Sequence, residues 1–314
     1  MLLSFVIPCY HSSATLPGVV HEIEETVTAD GRYDYEVILI NDNPPDDTWR
    51  TIQALCAENE RVRGVSMSRN FGEYSAAMAG YRLARGDIVV RLDDDGQTPP
   101  RESFRLIDAL DDETDIAYAI YPKKKHAAWR NWGSRLNDWT ACWLIGKPKG
   151  LYLASYNAAK RFVVDEIVRY QGPYPYVEGL ALRSTARVRN VPVDHKPREE
   201  GHSGYSMGKL VSVWLNCFTG FSVKPLRLAA FAGMFFAMLG FIMAVAVVIE
   251  KLVLGDVGSV GWSSLMCVLL VMGGLIMAML GILGEYLGRL YLSMSAAPQY
   301  IILEKCNLRA ENRP

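Results

Sequence analysis

Four short apolar runs, Leu2–Pro8, Glu36–Asn41, Val62–Ser68 and Asp87–Leu92, punctuate the first third of the chain. Between them lie Ser12–Ala29, Asp46–Asn59 and Gly72–Ala84, whose apolar residues recur with helical spacing. The runs read as buried strands and the intervening segments as amphipathic helices. That βαβαβαβ rhythm predicts an α/β fold, a Rossmann-like, mostly parallel sheet with helices on both faces. Sheets of this kind bind ligands beyond the carboxyl ends of their strands. Four loops are expected there: Pro8-Cys9-Tyr10-His11, Asn41-Asp42-Asn43, Ser68-Arg69-Asn70 and Asp93-Asp94-Asp95-Gly96-Gln97.

The pattern changes towards the C-terminus. Leu228–Ile249 and Trp262–Gly284 contain no Asp, Glu, Lys or Arg. At about 1.5 Å per residue, each is long enough for a hydrocarbon core of about 30 Å, so two transmembrane helices are expected. Lys209, Lys224 and Arg227 precede the first span and Arg289 follows the second; the connecting loop holds Glu250, Lys251 and Asp256. The positive-inside rule puts the flanks and the N-terminal domain in the cytoplasm, on a multi-pass protein of the cytoplasmic membrane. Lys123–Leu144 combines basic residues with Trp129, Trp132, Trp139 and Trp143, and Met207–Phe221 is amphipathic with Trp214 and Phe218. Both suit helices lying at the membrane surface. The expected organisation is a cytoplasmic domain over 1–206, a juxtamembrane helix over 207–225, a two-helix anchor over 226–291 and a tail over 292–314. Within that tail, Tyr300–Leu303 reads as a short strand that returns to the soluble domain.

Composition adds little. The 314 residues carry a formal net charge of −1, so charge names no partner and no nucleic acid is expected. The six cysteines are scattered without a C-x-x-C pair, which fits a reducing compartment rather than a disulfide framework or a zinc site. Met1–Ile7 has neither the length nor the basic start of a signal peptide.

The chemistry concentrates in Asp93-Asp94-Asp95-Gly96-Gln97. Crowded carboxylates repel one another unless a cation or a basic group offsets them. Mg²⁺ suits such a place, because it prefers one or two carboxylates together with phosphate oxygens. A carboxylate-lined α/β site next to a membrane anchor points to transfer between a soluble nucleotide-activated compound and a lipid.

At these residues the chain resembles glycosyltransferase family 2 enzymes of the GT-A fold, of the polyprenyl-phosphate type. The resemblance runs through Val6–His11, Ile40–Thr48, Ser68–Gly72, Asp93–Gln97, Arg198–Tyr205 and Phe221–Arg227. It implies a nucleotide-diphospho-sugar donor, a polyprenyl-phosphate acceptor, membrane lipids around the anchor, and Mg²⁺ or Mn²⁺. It also implies roles. Pro8 and Tyr10 cup the nucleobase, Asp42 accepts from its imide N–H, and Asp93 reads the ribose side, with Asp94 beside it. Asp95 and Gln97 hold the metal against the diphosphate, and Arg69 and Asn70 brace that site. Arg198 and Ser203 contact phosphate oxygens, and Glu178 is a second catalytic carboxylate candidate on the acceptor side. A homotetramer is implied by resemblance alone. His11, Asn41, Asn43-Pro44 and Asn157 depart from the family pattern, which bears on the donor rather than on the reaction class. The Gln-x-x-Arg-Trp motif of processive synthases is missing, which argues against a polymerase.

The expected reaction is an inverting displacement by a lipid phosphate oxygen, with Asp95 and Arg198 in the catalytic set. Two other readings stay open: transfer to another lipid hydroxyl, and a non-catalytic nucleotide-sugar-binding scaffold. The sugar is not named, although its recognition is expected in segments around 150–180 and 196–206.

Overall fold

A computed structural model describes residues 1–121, 140, 142–143, 146–194, 224–254, 261–294 and 298–308. Arg198, Ser203, Lys123–Lys125, Arg130, Arg135 and the 207–221 segment lie outside the described residues.

The chain divides into two compact units, one of residues 1–206 with 296–314, the other of residues 207–295. In the first, β1 (Leu2–Cys9), α1 (Leu16–Asp30), β2 (Asp34–Asn41), α2 (Thr48–Glu58), β3 (Val62–Met67), α3 (Glu73–Leu83) and β4 (Ile88–Arg91) follow the expected alternation. Helix α1 begins later than its pattern suggests, because the Ser12 carbonyl accepts from the amides of Thr15 and Leu16 and turns the chain first. There follow α4 (Ser103–Asp108), β5 (Ile116–Ile120), β6 (Asn157–Lys160), α5 (Arg161–Val168), α6 (Val177–Ser184), β7 (Val188–Pro192) and, after the apolar unit, β8 (Ile302–Cys306).

Among the described residues these strands form one eight-stranded sheet in the order β7-β5-β6-β4-β1-β2-β3-β8. The sheet is mixed rather than mostly parallel. Strands β3, β2, β1 and β4 are parallel, but β6 runs antiparallel to both β4 and β5, and β8 runs antiparallel to β3. The difference arises where the regular crossover helices stop: β6 comes after a long excursion from β5, and β8 comes from the far end of the chain.

The parallel core is buried on both faces, which is why its strands are continuous apolar runs rather than alternating ones. Leu3, Phe5, Ile7, Val37 and Leu39 pack with Leu16, Val19, Val20, Ile23 and Val27 of α1. On the opposite face α3 lies close to the sheet, because Gly80 faces Val6 and Ile40 and leaves no room for a Cβ.

Strand β8 caps the β3 edge, and side chains fasten it. Trp49 Nε1 donates to Glu304 Oε2 at 2.8 Å, and buried Gln299 donates to the carbonyls of Tyr170 and Gly172 at 2.9 and 2.7 Å. Two of the scattered cysteines meet here as free thiols, Cys56 Sγ and Cys306 Sγ at 2.7 Å, in space that Gly64 vacates.

The second unit contains two long helices, α7 (Lys224–Leu254) and α8 (Trp262–Met294). Among the described residues one stretch, Val271–Met294, is long and apolar enough to cross a membrane, and Ala229–Ile242 is a shorter apolar one.

Candidate functional site

The carboxyl ends of β1, β2 and β4 converge, with the loop after β3 beside them. The acidic loop after β4 is tied to the loop after β1: the Tyr10 amide donates to Asp94 Oδ2 at 2.8 Å, and Thr15 Oγ1 donates to the Asp94 carbonyl at 2.6 Å. Asp94 therefore joins two strand ends. Tyr10 remains half-exposed, edge-on to His11 at a centroid distance of 4.6 Å. An exposed aromatic at a strand end, beside Pro8, offers a face for a planar ring. His11 has φ +60, a left-handed backbone that turns the chain sharply behind Tyr10.

Asp42 is buried, with both carboxylate oxygens engaged by backbone: the Phe71 amide donates to Oδ1 at 2.7 Å and the Gly72 amide to Oδ2 at 2.9 Å. Gly72, with φ +87, precedes the first residue of α3, so Asp42 satisfies amides at that helix start. Asn70 Oδ1 accepts from the same Gly72 amide at 3.1 Å, and the Arg69 guanidinium lies 4.7 Å from the Phe71 ring centroid. Arg69, Asn70 and Asp42 thus shape one loop. Burial raises the Asp42 pKa to about 6, although the two amides oppose the shift.

Asp93 accepts from Ser155 Oγ at 2.8 Å. Burial, and then the charge of Glu73, raise its pKa to about 6. Asp94 is likewise raised to about 6, chiefly by burial. Asp95 Oδ1 accepts from the Gln97 amide at 3.0 Å across Gly96, whose φ of +69 makes this tight turn. Among the described residues no group of three or more His, Cys, Asp or Glu side chains is arranged to hold a metal ion.

Glu178 sits in the first turn of α6 and is 6 % exposed. Its Oε1 accepts from Arg91 Nη1 at 3.2 Å, and Arg91, 1 % exposed at the end of β4, also pairs with Glu73 through Nη2. Burial raises the Glu178 pKa even though Arg91 opposes it. The Tyr74 ring lies 5.7 Å from the Arg91 guanidinium and packs edge-on against Tyr176 at 5.5 Å.

The sequence-predicted residues divide accordingly. Pro8, at the end of β1, and Tyr10, Asp42, Arg69, Asn70, Asp93, Asp94, Asp95 and Gln97, on the loops that follow the strands, gather at one end of the sheet. Glu178 is drawn towards the same end through Arg91, the residue two before Asp93. Arg91, Glu73, Ser155 and Thr15 are additional. Arg91 carried a signal, a charge within an otherwise apolar strand, whereas Ser155 carried none. Asn157, one of the departures from the family pattern, has a structural explanation: its Nδ2 donates to the carbonyls of Ala154 and Ser155, at 3.3 and 2.8 Å, and so fixes the turn that presents Ser155 to Asp93.

Comparison with known proteins gives a consistent picture. Residues 4–167 match the family model for glycosyl transferase family 2, and residues 224–290 match that of the GtrB C-terminal hairpin. The chain is 32 % identical over 302 residues to the undecaprenyl-phosphate 4-deoxy-4-formamido-L-arabinose transferase of Klebsiella pneumoniae (strain 342), covering 96 % of this chain and 92 % of that one. Identity to the enzyme of the same name from Aeromonas hydrophila subsp. hydrophila is 31 % over 308 residues, with coverage of 96 % and 93 %. Glucosyl-3-phosphoglycerate synthase from Mycobacterium tuberculosis, solved with Mn²⁺, UDP-glucose and phosphoglyceric acid, superposes with a TM-score of 0.50 at 18 % identity, over 69 % of this chain and 77 % of that one. That likeness speaks to the fold alone.

Proposed function

The chain belongs to glycosyl transferase family 2, and from that premise we propose that it transfers a sugar from a nucleotide-diphospho-sugar to a polyprenyl phosphate, inverting the anomeric centre. The observation that carries this reading is the extent of the likeness to undecaprenyl-phosphate sugar transferases. It runs through 96 % of the chain, the hairpin segment included. A soluble acceptor would give the hairpin no purpose.

In this reading the two charge-free runs, Leu228–Ile249 and Trp262–Gly284, span the cytoplasmic membrane and hold the catalytic domain at its cytoplasmic face, where nucleotide-sugars are made. Basic residues over 123–135 contribute about 1 kcal/mol each near an anionic surface. The nucleobase stacks on Tyr10 beside Pro8. Asp42, which keeps α3 and its loop in place, borders the base. Asp93 takes the ribose side, and Asp94 locks the loop that carries it.

Asp95 and Gln97 offer hard oxygen donors on a tight turn, which suits Mg²⁺ or Mn²⁺. Such an ion needs few protein ligands, because phosphate oxygens and waters complete its shell. When bound, it offsets charge on the diphosphate leaving group. Arg198 and Ser203 are assigned to the same diphosphate. One bond forms, between a phosphate oxygen of the acceptor and the anomeric carbon, and one breaks, between that carbon and the diphosphate oxygen. The acceptor is a monoester with a second pKa of about 6, so it is largely dianionic at neutral pH and needs no protein base. The protein has to bring two anions together and hold them in line. Glu178, already paired with Arg91, fits a reaction that asks for no general base.

The test is transfer by purified protein from a panel of radiolabelled nucleotide-sugars to undecaprenyl phosphate, with Mg²⁺ or Mn²⁺ and with EDTA. Label entering the lipid phase, and lost with EDTA, is the expected result. Binding of nucleotide-sugars without any transfer would return weight to another acceptor lipid or to the scaffold reading.

A further inference from the structure

The end of β8 holds a pair of side chains that the proposed reaction does not use. Cys306 is the last residue of that strand, and its Sγ lies 2.7 Å from Sγ of Cys56 in α2, 250 positions earlier in the chain. Both are free thiols. Their surroundings hold them together. Cys306 stands opposite Gly64 of β3 in the ladder, and a Cβ on Gly64 would lie 2.5 Å from Cys306 Sγ and 3.3 Å from Cys56 Sγ. Glycine there leaves the space that the two sulfurs occupy. Just beyond the strand, Asn307 Nδ2 donates to the carbonyls of Cys56, of Asn59 at 3.3 Å and of Val62 at 2.9 Å, which pins the chain to the end of α2. Within the strand, Glu304 is tied to the same helix through Trp49.

The two sulfurs are not equivalent. Cys56 is buried, whereas Cys306 is partly exposed. The hydrogen bond between them holds Cys306 below the usual thiol value, and the same bond, with burial, pushes Cys56 above it. The thiol that solvent can reach is therefore also the better thiolate, and the thiolate is the reacting form. Two small thiols fill space well, but packing alone asks for no such division. A disulfide has an S–S distance of about 2.05 Å, so closing one here brings the sulfurs together by less than about 1 Å.

We propose that Cys56 and Cys306 form a reversible disulfide site, oxidised by low-molecular-weight disulfides such as oxidised glutathione, that locks β8 onto the catalytic domain. The thiolate of Cys306 attacks one sulfur of the glutathione disulfide; a mixed disulfide forms at Cys306 and one glutathione thiolate leaves. Cys56 then attacks the Cys306 sulfur, the protein disulfide forms, and the second glutathione leaves with the proton of Cys56. Two protein thiols lose two electrons, and one small disulfide becomes two thiols. In a reducing compartment the pair rests as thiols, and it closes when oxidised glutathione accumulates. The lock bears on the donor side of the sheet. The Ile301 carbonyl, just before β8, accepts from the Ser68 amide at 2.9 Å, and the Ser68 carbonyl accepts from Asn43 Nδ2 at 3.3 Å. Holding β8 therefore holds the loop that leads into Arg69 and Asn70.

The experiment incubates the full chain, purified in detergent, with glutathione buffers of rising oxidised fraction. Acid quenching, alkylation and peptide mapping by mass spectrometry follow, with Tm measured on the same samples. In wild type, the peptides that hold Cys56 and Cys306 should become linked, and dithiothreitol should separate them. Closing so long a loop should raise Tm by about 5–15 °C, an increase that dithiothreitol removes. The two serine variants read the order of attack. Cys56→Ser should keep glutathione on Cys306, because nothing displaces it, whereas Cys306→Ser should leave Cys56 unmodified. Neither variant should gain Tm on oxidation. Absence of the linked peptides from oxidised wild type overturns the inference, whether or not the variants fold. A link that forms without raising Tm overturns the locking role, and glutathione found on Cys56 in Cys306→Ser overturns the order of attack.

Discussion

Asp93→Asn should make the ligand-free protein more stable at neutral pH while impairing transfer. Asp93 is partly buried, its pKa is raised to about 6 by burial and by Glu73, and Ser155 Oγ is its hydrogen-bond donor at 2.8 Å. Asparagine keeps an oxygen for Ser155 and discards the charge. The rise from an ordinary value near 3.8 is about two units, and each unit corresponds to about 1.4 kcal/mol, so full ionisation costs the fold at most about 3 kcal/mol. Partial exposure reduces this to about 1–2 kcal/mol, or about 2–8 °C in Tm for a domain of this size. The direction with pH follows from proton binding. Between about 3.8 and about 6 the folded state keeps a proton that the unfolded state has lost, so stability is greatest below that window and falls as pH rises through it. Asp42 and Asp94, raised to about 6 as well, add slopes of the same sign. Thermal unfolding in detergent with EDTA, at pH 7.5 and pH 4.5, is the assay. The variant should melt higher at pH 7.5, and its advantage should shrink at pH 4.5, where wild-type Asp93 is protonated in the folded state. A variant that melts lower at pH 7.5, or whose advantage is the same at both pH values, would refute the argument.

Other substitutions test separate parts of the structure. Asp95→Asn should abolish transfer with Tm unchanged or raised, since the loop turn keeps an acceptor for the Gln97 amide at 3.0 Å; wild-type turnover would remove Asp95 from the mechanism. Asp115 is 1 % exposed and accepts from Lys160, Thr185 and Arg187 at 3.0, 2.7 and 3.0 Å, but Lys160 and Arg187 reach solvent, so Asp115→Ala should cost about 1–3 kcal/mol in chemical denaturation. Gly86→Ala should cost about 1–3 kcal/mol, because its Cβ would lie 2.7 Å from the Ser4 amide nitrogen and 2.8 Å from the Leu2 carbonyl oxygen, and backbone cannot step aside. Gln299→Ala removes the donor to the Gly172 carbonyl and leaves the Tyr170 carbonyl with Arg82 Nη2 at 3.4 Å, and should cost about 1–3 kcal/mol, seen as faster proteolysis around residues 170–174.

The parallel core was legible because its code is local. Strands buried on both faces must be apolar throughout, and the helices between them must show one apolar stripe, so β1 to β4 and α1 to α3 are written in contiguous residues. The antiparallel additions were less legible for the complementary reason. β8 pairs with a strand more than 230 residues earlier, so its partner and direction had to wait for the fold, although a short strand after the second apolar run was visible. Cys56 and Cys306 show the same limit: spacing along the chain made them look unrelated, and the β3–β8 ladder makes them neighbours.

The site divides along the same line. Asp93 to Gln97 lie together in the chain and could be seen as one chemical group, and the fold delivers them to the strand end that the topology demands. Glu73, Arg91 and Glu178 are separated by 18 and 87 residues, and only packing makes them one cluster. Even so, part of this was written in the sequence. Ile88-Val89-Val90 and Leu92 bracket Arg91 in a strand that the parallel arrangement buries on both faces. A guanidinium there cannot stay ionised without carboxylates, and it cannot lose its proton at any ordinary pH. The strand pattern alone therefore required acidic partners from elements packed against the end of β4. Glu178, an acidic residue in an otherwise apolar helix start, met that requirement from α6. The charge inside the strand was the more informative of the two residues, because a buried cation obliges its partners to exist, whereas a carboxylate near a site can be explained in several ways.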